Sequence, residues 1–261
     1  MTGKTGPAGA TEAVTGHGAG PDPDARRDDR VTIGSMTSDS ATSDTATSPS
    51  HHSERSDRHE AGRRLFVAVP LPPETTRSVA ALVEGVRAAD GVAVVGPARR
   101  RGGQDVRWVR LDGLHVTLRF VGPTAEERLP ELAAAVRDVA ASGHRFQVRL
   151  AGAGAFPSPE RPRALWIGVD RGTDELAGVA SALDAALVRM GWPADERPFR
   201  AHLTIARSDG SRAGPRLARR LMAAADGFSA VWEAGSLVLF ESLTGGGPAR
   251  YLPIVTAPLG G

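Results

Sequence analysis

The chain has 261 residues, a formal net charge of +2 and no cysteine, which excludes disulfides, thiolate metal sites and a cysteine nucleophile. No stretch approaches the ~20 consecutive apolar residues of a membrane-spanning helix, so a soluble, cytoplasmic protein is expected. The charge is uneven: residues 1–62 carry a net −4 and residues 63–261 a net +6, and every basic side chain of the second part is arginine.

Residues 1–62 contain no Phe, Trp or Tyr and are dominated by Gly, Pro, Ser, Thr, Asp and His. Such a segment cannot bury enough apolar surface to offset its ordering entropy, which predicts a disordered tail with no secretory signal. Residues 63–261 are long enough for one domain with its own core. Leu65 to Val69 is a continuous apolar run ended by Pro70, as in a buried strand. Pro72-Pro73-Glu74 opens a helix with Val79, Leu82, Val83 and Val86 at helical spacing. An exposed loop follows, with Arg99-Arg100-Arg101 set among glycines. Asp105–Arg110 and Leu114–Val121 read as strands. A helix capped by Thr124 carries Leu129, Leu132, Val136 and Val139. Arg145–Leu150 alternates as a half-buried strand, and the Gly- and Pro-rich stretch 152–163 reads as a loop. Ala164–Val169 is a buried strand, and Thr173 or Asp174 caps a helix ending at Gly191. After the strand Ala201–Ala206 come a basic helix near Gly214–Ala225 and strands at Phe228–Trp232, Ser236–Phe240 and Arg250–Ile254.

The sequence His115-Val116-Thr117-Leu118 recurs as His202-Leu203-Thr204-Ile205, each copy inside a predicted strand. Side chains alternate faces along a strand, so each His and the Thr two residues on share one face. Each half of the domain runs strand, helix, motif strand, helix, strand. A pseudo-two-fold axis relating two such halves would bring the motif strands face to face. The expected architecture is α+β and bilobal: two antiparallel sheets lining a central cleft, with helices outside.

Two imidazoles and two hydroxyls are enough for a general acid, a general base and two hydrogen-bond donors, and histidine titrates near neutrality. The duplication leaves either histidine free to be the acid. Arg119 shares parity with His115, which predicts a side chain at the cleft or its rim. Phe120 is either a core phenylalanine or a stacking surface for a base. Arg207 lies five residues after His202, an odd offset that faces away on an ideal strand. A role there needs the strand to twist or end first.

These residues carry a resemblance. The runs Arg64 to Pro70, Leu114 to Gly122, Arg161 to Val169, Arg197 to Arg207 and Leu237 to Ser242 resemble, in order, the two-histidine (2H) phosphoesterases. The nearest likeness is to the bacterial and archaeal RNA 2′,3′-cyclic phosphodiesterases, also described as RNA 2′-5′ ligases. The resemblance implies hydrolysis of RNA 2′,3′-cyclic phosphate ends to 2′-phosphates with no metal required; a monomer without cofactor, acting on ends such as tRNA-derived ones, is expected. It assigns His115 as proton donor, His202 as proton acceptor, Thr117 and Thr204 as phosphate-oxygen ligands, and a substrate-binding role to the basic residue at Arg207. Two other expectations fit the same residues: a two-histidine enzyme acting on a small cyclic nucleotide, or a non-catalytic RNA-end binder. Two complete motifs weigh against the latter.

Overall fold

A computed structural model describes residues 62–89, 106–208, 213–245 and 248–260. The predicted tail, the loop bearing Arg99–Arg101 and part of the glycine turn at 245–247 lie outside the described residues. Nine strands and four α-helices follow in chain order among those described. They are β1 (Arg63–Pro70), α1 (Pro73–Ala89), β2 (Val106–Trp108), β3 (His115–Thr124), α2 (Leu129–Ser142), β4 (Phe146–Phe156), β5 (Ala164–Arg171), α3 (Thr173–Arg189), β6 (His202–Ser208), α4 (Ala213–Ala224), β7 (Ser229–Ala234), β8 (Ser236–Leu243) and β9 (Arg250–Pro258).

The strands form two antiparallel sheets, as expected. One is four-stranded in the order β3-β1-β8-β9; the other is five-stranded in the order β2-β6-β5-β4-β7. β1 is flanked on both sides, and Leu65 to Val69 are all buried. Helices α2 and α3 pack on each other and over the first sheet, while α1 and α4 pair over the second. The two lobes are therefore not the two halves of the sequence. β8 and β9 return from the end of the chain to complete the first sheet, β2 and β4 cross into the second, and α1 and α3 each cover the sheet opposite to the strand they follow.

Local differences from expectation have local causes. Thr124 does not cap a helix: it ends β3, and a 3₁₀ turn at Glu126–Arg128 leads into α2, with Pro130 in its first turn. α3 starts at Thr173 behind Gly172, which holds φ +84°. A Cβ at Gly172 would lie 2.6 Å from the Gln147 carbonyl oxygen, so strain and close approach both require glycine. β4 runs through Gly152 and Gly154 to Phe156, where a loop was expected. Trp166 of β5 is opposite Gly154, and a Cβ there would sit 2.4 Å from the indole ring. The small residues of β4 make room for that ring to lie across the sheet.

Candidate active site

His115 and His202 are the first residues of β3 and β6. These strands belong to different sheets, yet their Cα atoms come within 8 Å across the cleft. The residues between the polar positions anchor each motif: Val116, Leu118, Leu203 and Ile205 are all buried in the core. Thr117 and Thr204 are half-buried on the histidine side.

The two imidazoles are held alike. His115 Nδ1 lies 2.7 Å from the Gly113 carbonyl oxygen, and His202 Nδ1 lies 2.7 Å from that of Arg200. A carbonyl only accepts, so Nδ1 carries the hydrogen and donates it. In a neutral ring Nε2 is then the nitrogen without the hydrogen. The surroundings differ. His115 packs against Phe66 and Tyr251, both with ring centroids 4.8 Å away, and against Phe240 at 5.7 Å. Burial among these rings pushes its pKa down to about 4, opposed by the hydrogen bond to Gly113. His202 meets the edge of Phe156 at 5.0 Å, and the Arg200 guanidinium lies 5.9 Å from that same ring.

A matched irregularity settles the direction of the three flanking residues. In β3, Thr117 pairs with Ala68 but Arg119 pairs with Val67, so one residue is bulged out between the pairs. In β6, Thr204 pairs with Trp166 but Ala206 pairs with Leu165, and the register slips at the equivalent place. A one-residue bulge inverts the facing of everything beyond it. Phe120, opposite Phe66, thereby rejoins the His115 face, and Arg207, opposite Ala164, rejoins the His202 face.

Phe120 is accordingly no core residue; it is 58% exposed beside Phe66, with centroids 6.1 Å apart. Arg119 is not at the cleft. The bulge turns it inward, where it is 7% exposed. Its Nε donates to Asp184 of α3 at 2.8 Å, and its other nitrogens donate to the Phe120 and Pro193 carbonyl oxygens. Arg207 is exposed on the cleft face. Its charge is also felt by Tyr251 in the other sheet: burial raises that phenol's pKa and the Arg207 guanidinium opposes the rise.

Several walls of the site escaped the sequence reading. Tyr251 is the chain's only tyrosine, a signal that went unused. Phe66 lies within a run read as a buried strand, and Phe240 at the end of another predicted strand. Trp166, opposite Thr204 on the cleft face, has a buried indole N–H with no hydrogen-bond partner. Among the described residues, no group of three or more His, Asp or Glu side chains could hold a metal ion. No described helix is long and apolar enough to cross a membrane.

A bilobal α+β fold that offers one His-x-Thr strand from each sheet to a shared cleft defines a two-histidine phosphoesterase. Comparison narrows this class: the sequence model of the 2′-5′ RNA ligase superfamily matches residues 67–246, and the chain belongs to that superfamily. It is 34% identical over 147 residues to the RNA 2′,3′-cyclic phosphodiesterase of Aeropyrum pernix, covering 56% of this chain and 82% of that protein. With the protein of the same name from Methanothermobacter thermautotrophicus it shares 33% over 155 residues, which is 59% of this chain and 76% of that one. Among solved structures, the TT0787 protein of Thermus thermophilus superposes with a TM-score of 0.58 at 26% identity, covering 75% of this chain and 97% of its own. E. coli LigT complexed with 3′-AMP gives a TM-score of 0.56 at 25% identity, with coverages of 76% and 98%.

Proposed function

We propose that this protein hydrolyses the 2′,3′-cyclic phosphate of RNA ends to a 2′-phosphate by general acid–base catalysis between His115 and His202. The observation that carries this reading is the twin arrangement of the histidines, each on a motif strand of its own sheet with Nδ1 donating to the carbonyl two residues earlier. The names of the relatives support the RNA cyclic phosphate as substrate.

In this reading, water attacks phosphorus in line with the 3′ oxygen. His202 Nε2 takes the water's proton as the new P–O bond forms. His115 Nε2–H protonates the 3′ oxygen as the ring P–O bond breaks, leaving a 3′ hydroxyl and a 2′-phosphate. The Thr117 and Thr204 hydroxyls donate to the non-bridging oxygens. Arg207 supplies positive charge at the far end of the His202 face, and Phe120 offers its exposed ring to the terminal base. Arg119 acts only from behind, tying β3 to α3.

Burial of His115 bears on this assignment. A pKa of about 4 leaves the ring neutral near pH 7 in the free protein, whereas a donor must be protonated. The substrate is itself the remedy. A unit negative charge ~4 Å away at an effective dielectric of ~20 favours the imidazolium by ~4 kcal/mol. Raising the pKa from about 4 to about 7 takes about 4 kcal/mol at ~1.4 kcal/mol per pH unit, so the phosphate brings the ring to about half protonation near neutrality. His115 is thus charged largely by the phosphate it serves. The reading takes the protein to act in the cytoplasm as a monomer, on ends such as those of cleaved tRNA, through a domain spanning residues 63–261.

The test is hydrolysis of an oligoribonucleotide with a 2′,3′-cyclic end. His115→Ala and His202→Ala are each expected to slow turnover ~10²–10⁴-fold with folding intact, and the double variant to be little worse than either. Chelator is expected to leave the wild-type rate unchanged. Near-full activity in either single variant, or abolition by chelator with rescue by Zn²⁺ or Mn²⁺, overturns the mechanism.

A further inference from the structure

The segment 190–201 joins α3 to β6 and leads directly into His202. It has no helix or strand. Trp192, which is buried, and Phe199, packed against the core, anchor its two ends, while Pro193 to Pro198 between them are all exposed. Yet this loop supplies the Arg200 carbonyl oxygen that receives the His202 Nδ1–H. An exposed loop opens readily unless other groups tie it down. The firmness of that imidazole therefore depends on what holds the loop.

The ties lead back to β3. Arg119, two residues after Thr117, donates from Nη2 to the Pro193 carbonyl oxygen, from Nη1 to the Phe120 carbonyl oxygen of its own strand, and from Nε to Asp184 Oδ1 at 2.8 Å. That same Asp184 oxygen accepts the Asp195 backbone N–H at 2.9 Å. The Asp195 carboxylate in turn accepts the Arg197 N–H at 3.2 Å and comes within 4.0 Å of the Arg119 guanidinium. At the start of the loop, Arg128 donates to the Met190 carbonyl oxygen at 2.7 Å, and its guanidinium lies 3.4 Å from the Trp192 ring centroid. One buried guanidinium thus joins the strand of the first motif to the approach to the second.

Stability alone gives little reason for a charge at this place, since a buried ion pair gains little over apolar residues of like volume. Arginine adds direction: a planar fork whose nitrogens reach three acceptors at once, where lysine offers a point charge. We propose that Arg119 is a positioning residue for His202, holding through Pro193 and through Asp184 and Asp195 the loop whose Arg200 carbonyl orients the imidazole. This rests on the function proposed above and deepens it, by naming what keeps the proton acceptor in place from the opposite lobe.

The test uses Arg119→Lys, which keeps a charge beside Asp184 without the fork, and Asp195→Ala, an exposed change that leaves the Phe120 contact alone. Both are assayed on the oligoribonucleotide with a 2′,3′-cyclic end, at a temperature where circular dichroism shows them folded. Arg119→Lys is expected to lower kcat by about 10- to 100-fold, the scale of a small misplacement of a reacting group. Asp195→Ala should lower kcat by about three- to ten-fold with KM unchanged. NMR follows exchange with water of the Nδ1 hydrogen of each imidazole, assigned by its loss in His202→Ala and His115→Ala. Both variants are expected to speed the exchange at His202, whereas His115, held by the Gly113 carbonyl, should be unchanged. If Arg119→Lys does not fold, Asp195→Ala decides by the same readings. Unchanged kcat in folded variants of an active enzyme, an unchanged exchange rate at His202, or equal acceleration at both imidazoles overturns the proposal. If wild type hydrolyses no cyclic end but the variants still loosen His202 alone, the catalytic reading has failed and the positioning role stands.

Discussion

The ionisation of His115 is where structure and chemistry can be set against each other most directly. Phe66, Phe240 and Tyr251 close around its ring and hold its pKa at about 4, from an ordinary 6.5. In the unfolded chain the ring regains the ordinary value, so between these two pH values the unfolded state binds the extra proton. Stability from this group is therefore complete above pH 6.5, is lost as pH falls through the window, and is level below about 4. The whole loss is ~3 kcal/mol.

The same ring can be followed by the NMR titration of its imidazole C–H resonance, assigned by its absence in His115→Ala. In the free protein the midpoint is expected near 4. Tyr251→Ala removes one aromatic wall and should move the midpoint upward by admitting water. Saturation with adenosine 2′-monophosphate, which carries the product's phosphate, should raise it by about three pH units, since a charge at ~4 Å is worth ~4 kcal/mol at an effective dielectric of ~20 and a pH unit ~1.4 kcal/mol. A free-protein midpoint at the ordinary 6.5 would refute the burial reasoning. A midpoint that stays near 4 with the phosphate bound would refute His115 as donor, and the roles of the two histidines would then be exchanged.

Two further predictions concern the fold. Asp184→Ala leaves the buried Arg119 guanidinium only the Asp195 carboxylate, 4.0 Å away, and since Asp184 is itself 29% exposed, the expected loss is ~2 kcal/mol, below the range for a fully buried pair. An unchanged Tm in that variant would show that the ion pair contributes nothing. Deleting residues 1–62 should leave both Tm and cyclic-phosphate hydrolysis unchanged, because that segment brings no aromatic residue to a core; a large fall in either would move the domain boundary.

Much of the architecture was legible because its causes are local. Apolar runs bounded by proline and glycine located β1, β3, β5 and β6, and the 3.6-residue stripe located α1, α2 and α3. Pairing was not legible. Nothing near Ser236 or Arg250 marks β8 and β9 as companions of β1, at the opposite end of the domain, because the choice depends on which sheet has an open edge once the rest has folded. β4 was cut short for a different reason. Its Ala-Gly-Ala-Gly stretch has the composition of a loop, yet the residues are small to accommodate Trp166, a partner the local sequence does not reveal.

The site divides along the same line. His115, Thr117, His202 and Thr204 follow from strand periodicity alone, since each pair lies within two residues on one regular segment. Parity arguments failed at the next step, where β3 and β6 both slip register just after the threonine. Periodicity puts Arg119 at the cleft and sends Phe120 and Arg207 away; the bulges reverse all three. That both strands slip at the same offset is a stronger mark of duplication than residue identity, which is poor outside the motifs. It also gives the bulge a use. By inverting the strand it lets one short segment present a histidine, a threonine and a third, exposed side chain on a single face. The duplicated positions then diverge, with an aromatic ring at Phe120 in one sheet and a cation at Arg207 in the other. In the function proposed above that divergence has a use, with the ring at Phe120 offered to the terminal base and the cation at Arg207 on the opposite sheet, facing the phosphate's charge.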